Sequence, residues 1–169
     1  MTPADARRFV LGIIGPSWEI SDVGELTYTG TGCPKCAMEH LPAIVGPMQA
    51  AFHTMPDGSS YRWDVRAGYA IVAARPRPPI VVHPDVITGE LAKWELISEH
   101  LAHVEPSQPG LAVMFPYRSY PCVIVMVDGW HRAARNRALG ADVRAYVLDL
   151  EESARIRMPT DLAALVQHP

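Results

Sequence analysis

The stretch from Pro121 to Asp149 fixes more of the fold than any other part of the chain. An apolar run, Cys122-Val123-Ile124-Val125-Met126-Val127, stops abruptly at Asp128-Gly129-Trp130-His131-Arg132. Such a run of β-prone or apolar residues predicts a central strand buried on both faces. Ala133-Ala134-Arg135-Asn136-Arg137-Ala138-Leu139 then reads as a helix closed by Gly140, and Val143 to Leu148 reads as a second strand. The turn places Gly129, His131 and Arg132 at the helix start, where unpaired backbone N–H groups and the positive end of the helix dipole attract anions. A phosphate suits that place.

Each side chain of the turn has two uses open to it. Arg132 can serve as the charged phosphate donor with His131 as second donor or general acid/base; equally, Arg132 can pair with a carboxylate at the helix start while His131 packs on Tyr120 or Trp130. Asp128, at a strand end, suits a Mg2+-orienting carboxylate or general base, and it is also a good N-cap or turn residue. Arg135 lies three residues beyond Arg132, so it either widens the anion site or, like Arg137, is a solvated surface arginine. Trp130 either stacks on a base or packs. Asp85 and Glu90 follow a possible strand at Ile80 to Val82 and offer carboxylates to the turn or to solvent.

Asp128-Gly129-Trp130-His131-Arg132-Ala133-Ala134, followed by Ala138-Leu139-Gly140 and a strand, resembles the signature of the ParB/sulfiredoxin superfamily. Members place a Gly-x-His-Arg or Gly-x-Arg-Arg turn before an Ala-rich helix and hold nucleotide phosphates on it. The resemblance implies an α/β (α+β) fold, a small mixed sheet with flanking helices. It also implies a nucleotide (ATP, ADP or CTP) with Mg2+ on Gly129, Trp130, His131, Arg132 and Arg135, with Asp128 and His131 as catalytic groups. Sulfiredoxins carry their catalytic cysteine where Trp130 stands, so sulfinic acid repair is not expected. Chromosome-partitioning members have a second arginine in place of His131 and continue into a helix-turn-helix domain, so centromere-type DNA binding is not expected either. An ADP-dependent serine kinase branch is similar at Asp128-Gly129 and Arg132 and differs at the third and fourth turn residues. Phosphoryl transfer or nucleotide hydrolysis is the resulting expectation. A non-catalytic nucleotide switch or nucleic-acid-binding module is the alternative, and thiol redox chemistry ranks last.

Composition narrows the setting. The net charge of −3 gives no global attraction to nucleic acid or an anionic membrane. The opening Thr2 to Arg8 is polar, the apolar Phe9 to Ile14 segment is too short for a signal peptide, and no run is long enough to span a membrane. Three cysteines do not make a secreted disulfide framework, so a cytoplasmic protein is expected, with homo-oligomers allowed. Cys33, Cys36 and His40 have the spacing of three metal ligands, with His53 or Cys122 as a fourth. Gly30, Gly32 and Pro34 would let the backbone fold around a structural Zn2+. A redox pair or two inert thiols are the other readings of the CxxC turn.

Along the rest of the chain, Thr2, Pro3 and Asp5 begin a helix with a Phe9, Val10, Ile13, Ile14 stripe that Gly15-Pro16 ends. Glu25 to Thr29 and Tyr61 to Val65 alternate as strands, with a helix expected from Met38 to His53, restarting near Gly46-Pro47, and a turn at Asp57-Gly58. Thr88 is the expected cap of a helix carrying Leu91, Trp94, Ile97, Leu101 and Val104; Leu111 to Phe115 is a strand; and Thr160 caps a last helix over Asp161 to Gln167. Trp63 and Trp94 are expected in the core. Arg75-Pro76-Arg77-Pro78-Pro79 is the expected boundary between an N-terminal extension, 1–78, and a ParB/sulfiredoxin-like domain, 79–169.

Overall fold

A computed structural model describes residues 1–42, 45, 50–93 and 96–168. It is an α+β structure whose chain divides into two compact units, Met1–Asp64 with Arg157–Pro169, and Val65–Ile156. The Arg75 to Pro79 connector lies inside the second unit.

The first unit opens with α1, Pro3–Ile14, which begins as the sequence predicts. Thr2 accepts a hydrogen bond from the Asp5 N–H, Pro3 fills the first position, and Gly15 at φ 82° ends the helix. Ala6 and Val10 are its buried residues, so the buried stripe runs through Ala6 and leaves Phe9 exposed. β1, Trp18–Ile20, and β2, Leu26–Tyr28, form an antiparallel pair, and α2, Pro34–Glu39, follows. β3, Ala51–Thr54, and β4, Ser60–Trp63, form a hairpin whose turn is held by Asp57 Oδ1 accepting from the Ser59 N–H and hydroxyl. β9, Arg157–Met158, pairs with β4, and α8, Leu162–Val166, closes the unit. Ala6, Val10, Ile20, Met158, Leu162 and Leu165 form its core. Trp63 is buried, as expected of a strand tryptophan. Arg62 is fully buried as well, its guanidinium over the Phe52 ring and donating to the Val23 carbonyl.

The second unit is built on a four-stranded sheet in the order β5-β8-β6-β7. Its strands are β5, Ile80–Val81; β6, Gly110–Tyr117; β7, Tyr120–Asp128; and β8, Arg144–Leu148. β6 and β8 are parallel and the other pairs antiparallel, so the sheet is mixed. Its helices are α3, Val65–Ala74; α4, Pro84–Leu91; α5, Ser98–Leu101; α6, Trp130–Ala138; and α7, Leu150–Arg155. Ile87 of α4 and Trp130 and Ala133 of α6 pack on Ala112, Met126 and Ala145 from one face of the sheet. On the strands, Leu111, Val113 and Leu148 alternate with that set and point to the other face. There α3 comes so close that a Cβ at Gly68 would lie 2.5 Å from the Leu111 side chain. α7 is tied to the two inner strands: the Met114 N–H donates to Ser153 Oγ at 3.0 Å, and that hydroxyl donates to the Leu148 carbonyl at 3.2 Å.

Several expectations are corrected here. The apolar run 122–127 forms an edge strand rather than a central one: Ile124 is 53% exposed and Cys122 exposed, while β6 takes the central place with Leu111, Ala112, Val113 and Phe115 buried. Hydrophobicity reports burial demand, and the chain meets it for this run only in part: Met126 enters the core, Val123, Val125 and Val127 are half-buried, and Cys122 and Ile124 stay exposed. The expected single helix after Thr88 is two, α4 and α5. α4 starts earlier because the His83 ring accepts from the Asp85 N–H and Pro84 sits at its first position, whereas Thr88 lies mid-helix and donates to the Pro84 carbonyl. Trp94 lies outside the described residues, as do 43, 44 and 46–49 of the expected Met38 to His53 helix, where α2 ends at Glu39 and His53 stands in β3. α8 is capped by Asp161, accepting from the Ala164 N–H, not by Thr160.

One buried ion pair ties the second unit together. Glu152 in α7, with its side chain 2% exposed, takes Arg77 Nη1 at 2.6 Å and Nη2 at 2.7 Å, and Arg75 Nη1 at 3.1 Å. It also caps its own helix reciprocally with Asp149. The hydrogen bonds from Arg77, above all, hold the Glu152 carboxyl down at about 2, against an ordinary 4.5. A depressed carboxyl stabilises the fold above its ordinary range and loses that contribution as pH falls towards the folded value. Glu152→Gln is expected to cost roughly 3 kcal/mol at neutral pH, because two arginines are left facing an uncharged group. Urea melts from pH 6 to pH 2 should show wild type losing its advantage over the variant as the pH falls. A constant gap between the two would defeat this account.

Candidate metal centre

β7 ends at Asp128, and Gly129 turns the chain into α6 at φ 103°. The backbones are close here: a Cβ at Gly129 would stand 2.8 Å from the Gly110 Cα, and one at Gly110 would stand 2.6 Å from the Asp128 carbonyl. The sharp strand-to-helix turn expected from the sequence is therefore present, and its side chains have definite partners. Arg132 Nη2 pairs with Asp128 Oδ2 and donates to the Tyr69 hydroxyl at 2.8 Å, while that hydroxyl donates to Asp128 Oδ2 at 2.8 Å. Burial first, and the Asp128 charge second, push the Tyr69 hydroxyl well above its ordinary range, so it stays protonated as a donor. Arg132 Nε is buried without a hydrogen-bond partner. Trp130 is buried in the sheet core with its indole N–H on the Met126 carbonyl at 3.2 Å.

His131 and Arg135, one turn apart on α6, reach away from this triad to α5. The Ile97 N–H, at the start of α5, donates to His131 Nε2 at 3.0 Å, so a neutral His131 carries its proton on Nδ1. Arg135 Nη1 donates to the carbonyls of Leu101 and Ala102 at 3.2 Å each and of Val104 at 2.8 Å. The Asn136 amide adds the Pro106 carbonyl at 2.9 Å. The histidine rings on this segment are ordered against one another: His100 stands edge-on to His131 at 4.9 Å between centroids and edge-on to His103 at 6.3 Å.

Cys33 is the N-cap residue of α2 and Cys36 stands in its first turn, neither in a disulfide. Gly32, at φ 92°, and Pro34 shape this entry into the helix. The hydrogen bond between the two thiols, chiefly, pushes Cys36 up from its ordinary value. A divalent cation reverses that preference, because a coordinating thiol is deprotonated.

Of the sequence-derived ligands, Cys33 and Cys36 stand together at the start of α2, two sulfur donors of the kind that suit a metal such as zinc. His40 closes α2 through its backbone N–H, His53 lies in β3, and Cys122 is exposed on β7. Asp85 is exposed beside His83, and Glu90 pairs with Lys93 at 2.6 Å. A surface depression along α1, lined by Arg7, Arg8, Leu11 and Trp18, includes neither Cys33 nor Cys36.

The fold is α+β, with a cysteine pair at the start of α2. Comparison with family models, curated proteins and solved structures found no match. Among the described residues no helix is long and apolar enough to cross a membrane.

Gly129→Ala is expected to destabilise the second unit by roughly 1–3 kcal/mol, since the backbone conformation is strained for any side chain and the Gly110 backbone cannot yield. Gly140→Ala makes the control, because a Cβ there meets nothing within 4 Å although its φ is also positive. Equal losses for the two in chemical denaturation would show that the close approach adds nothing.

Proposed function

We propose that this is a zinc-binding protein in which Cys33 and Cys36 supply two thiolates to a structural ion. The observation that carries the reading is the placement of the two thiols at the start of α2, one at the N-cap and one in the first turn, close enough to hydrogen-bond to each other. Protein purified without chelator should contain one zinc per chain. Ion removal should lower its apparent stability by about 4 kcal/mol relative to protein at a thousandfold excess of zinc over Kd. Cys33→Ser and Cys36→Ser should each abolish stoichiometric uptake. A folded, metal-free preparation whose melting ignores both zinc and chelator overturns the reading.

A second reading keeps the ParB/sulfiredoxin resemblance and seats a nucleotide or another phosphate ligand at the start of α6, with phosphoryl transfer, hydrolysis or a non-catalytic switch as its use. Two features favour it. Gly129 leaves the first turn of α6 without a side-chain cap, and Arg132 Nε is buried with no acceptor. Phosphate oxygens would satisfy both, with Mg2+ balanced by Asp128. ATP, ADP or CTP with Mg2+ should then raise the melting temperature of wild type and leave Arg132→Ala unmoved. No shift with any of them disposes of this reading.

A further inference from the structure

We propose that Arg62 is the cationic half of an oxyanion-binding site in the first unit: a carboxylate or phosphate group takes the place that the Val23 carbonyl holds on its guanidinium, and the Val23–Gly24 peptide lifts to admit it.

Arg62 lies in the middle strand of the sheet β3-β4-β9, opposite Phe52 on one side and Met158 on the other, so these three side chains share a face. It is 0% exposed. The Phe52 ring centroid is 5.2 Å from the guanidinium carbon. The turn between β1 and β2 lies against the same group: a Cβ at Gly24 would stand 3.2 Å from Arg62 Nη1, with the Leu165 and Leu162 side chains at 3.0 and 3.4 Å. An arginine has five N–H donors. Here Nη2 meets the Val23 carbonyl, whereas Nε and Nη1 have no hydrogen-bond partner among the described residues. Glu152 is the other charged side chain buried among the described residues, and it receives the Arg77 fork. Arg62 has only a carbonyl dipole and an aromatic face, which together fall short of a whole charge, and buried charges are otherwise met by counter-charges. Burial pulls the guanidinium below its ordinary value, and the opposing field of Glu25 is the smaller effect. The Nε and Nη2 hydrogens point from one edge of the guanidinium, so an oxyanion in place of the Val23 carbonyl closes a two-bond fork and takes up Nε. The turn is fastened beside that point: Asp22 pairs with Arg7 and accepts the Leu162 N–H at 3.2 Å, and Ser21 is bonded to Glu25 through backbone and hydroxyl at 3.0 Å each. Gly24, at φ 79°, has no side chain to hinder rotation of the peptide between them.

The test melts the full-length protein in increasing sodium phosphate or sodium acetate, against sodium chloride at matched ionic strength. At least one oxyanion should raise the melting temperature saturably where chloride does not, and the arm that responds tells phosphate from carboxylate. Arg62→Met, which keeps the stem and removes the charge, should melt higher than wild type without anion and lose the response. Arg132→Ala should keep it, which separates this site from a phosphate at the start of α6. In 15N-labelled protein the Arg62 Nε–H signal, identified by its loss in Arg62→Met, should move downfield with the same anion. Should Arg62→Met fail to fold, Arg62→Lys decides: it keeps the charge without the fork, so the anion concentration at half-response should rise roughly tenfold or more. No saturable response beyond chloride, or a response that survives in full in the Arg62 variants, overturns the site.

Discussion

A one-turn helix cannot hold its own ends, and the second unit depends on solving that problem for α5. The solution is a division of labour along α6. Its Arg132 turns back to Asp128 and Tyr69, its Trp130 and Ala133 enter the sheet core, and its His131, Arg135 and Asn136 face the 97–106 segment. With a period of 3.6 residues, nine residues suffice to serve all three directions. α6 can do so only because its start is fixed where the Gly129 and Gly110 backbones nearly touch, which sets the angle at which the helix leaves the sheet.

The opposite face of the sheet is stabilised by a different kind of interaction. Glu152 is an anion taken almost wholly out of water, tolerated because the Arg77 fork meets it in two places and the Asp149 N–H in a third. Those bonds join the Arg75 to Pro79 connector to α7, elements far apart in sequence. The stretch that composition marks as a boundary is in this way bound into the interior of a unit. A proline-rich connector is extended because of local sterics, but whether it links or belongs is decided by what its arginines find.

What could be read from the sequence was what local chemistry decides. Thr2, Pro3 and Asp5 specify the start of α1 within one turn, and the strand, turn and helix through Asp128-Gly129 and Gly140 were legible for the same reason. Lateral position in a sheet was not legible: 122–127 is more continuously apolar than its neighbour, yet β6 is central, because strand order depends on which helices cover which faces. The cysteine pair was legible too: Cys33 and Cys36 stand out in the sequence, and they meet at the start of α2. For His131, Arg132 and Arg135 the sequence left two uses open each, and for Arg135 it leaned towards a solvated surface arginine, whereas its guanidinium meets the carbonyls of Leu101, Ala102 and Val104. Their partners, Ile97, Tyr69 and the carbonyls of 101–104, come from distant segments that periodicity does not bring together.

The place of β7 at the rim of the sheet has a consequence for the molecule in solution. An outer strand offers its unpaired amides and carbonyls to any other extended chain, and one with apolar side chains such as Ile124 in the open invites sheet growth from molecule to molecule. Pro121, near its beginning, has no amide hydrogen to offer. The register of the hairpin also slips between Leu111 and Ala112 and between Phe115 and Tyr117, irregularities that twist the ribbon away from the flat geometry a stacking partner needs. The chain thus leaves a rim open and spoils it at both ends, which confines the adhesive part to a few residues in the middle of the strand.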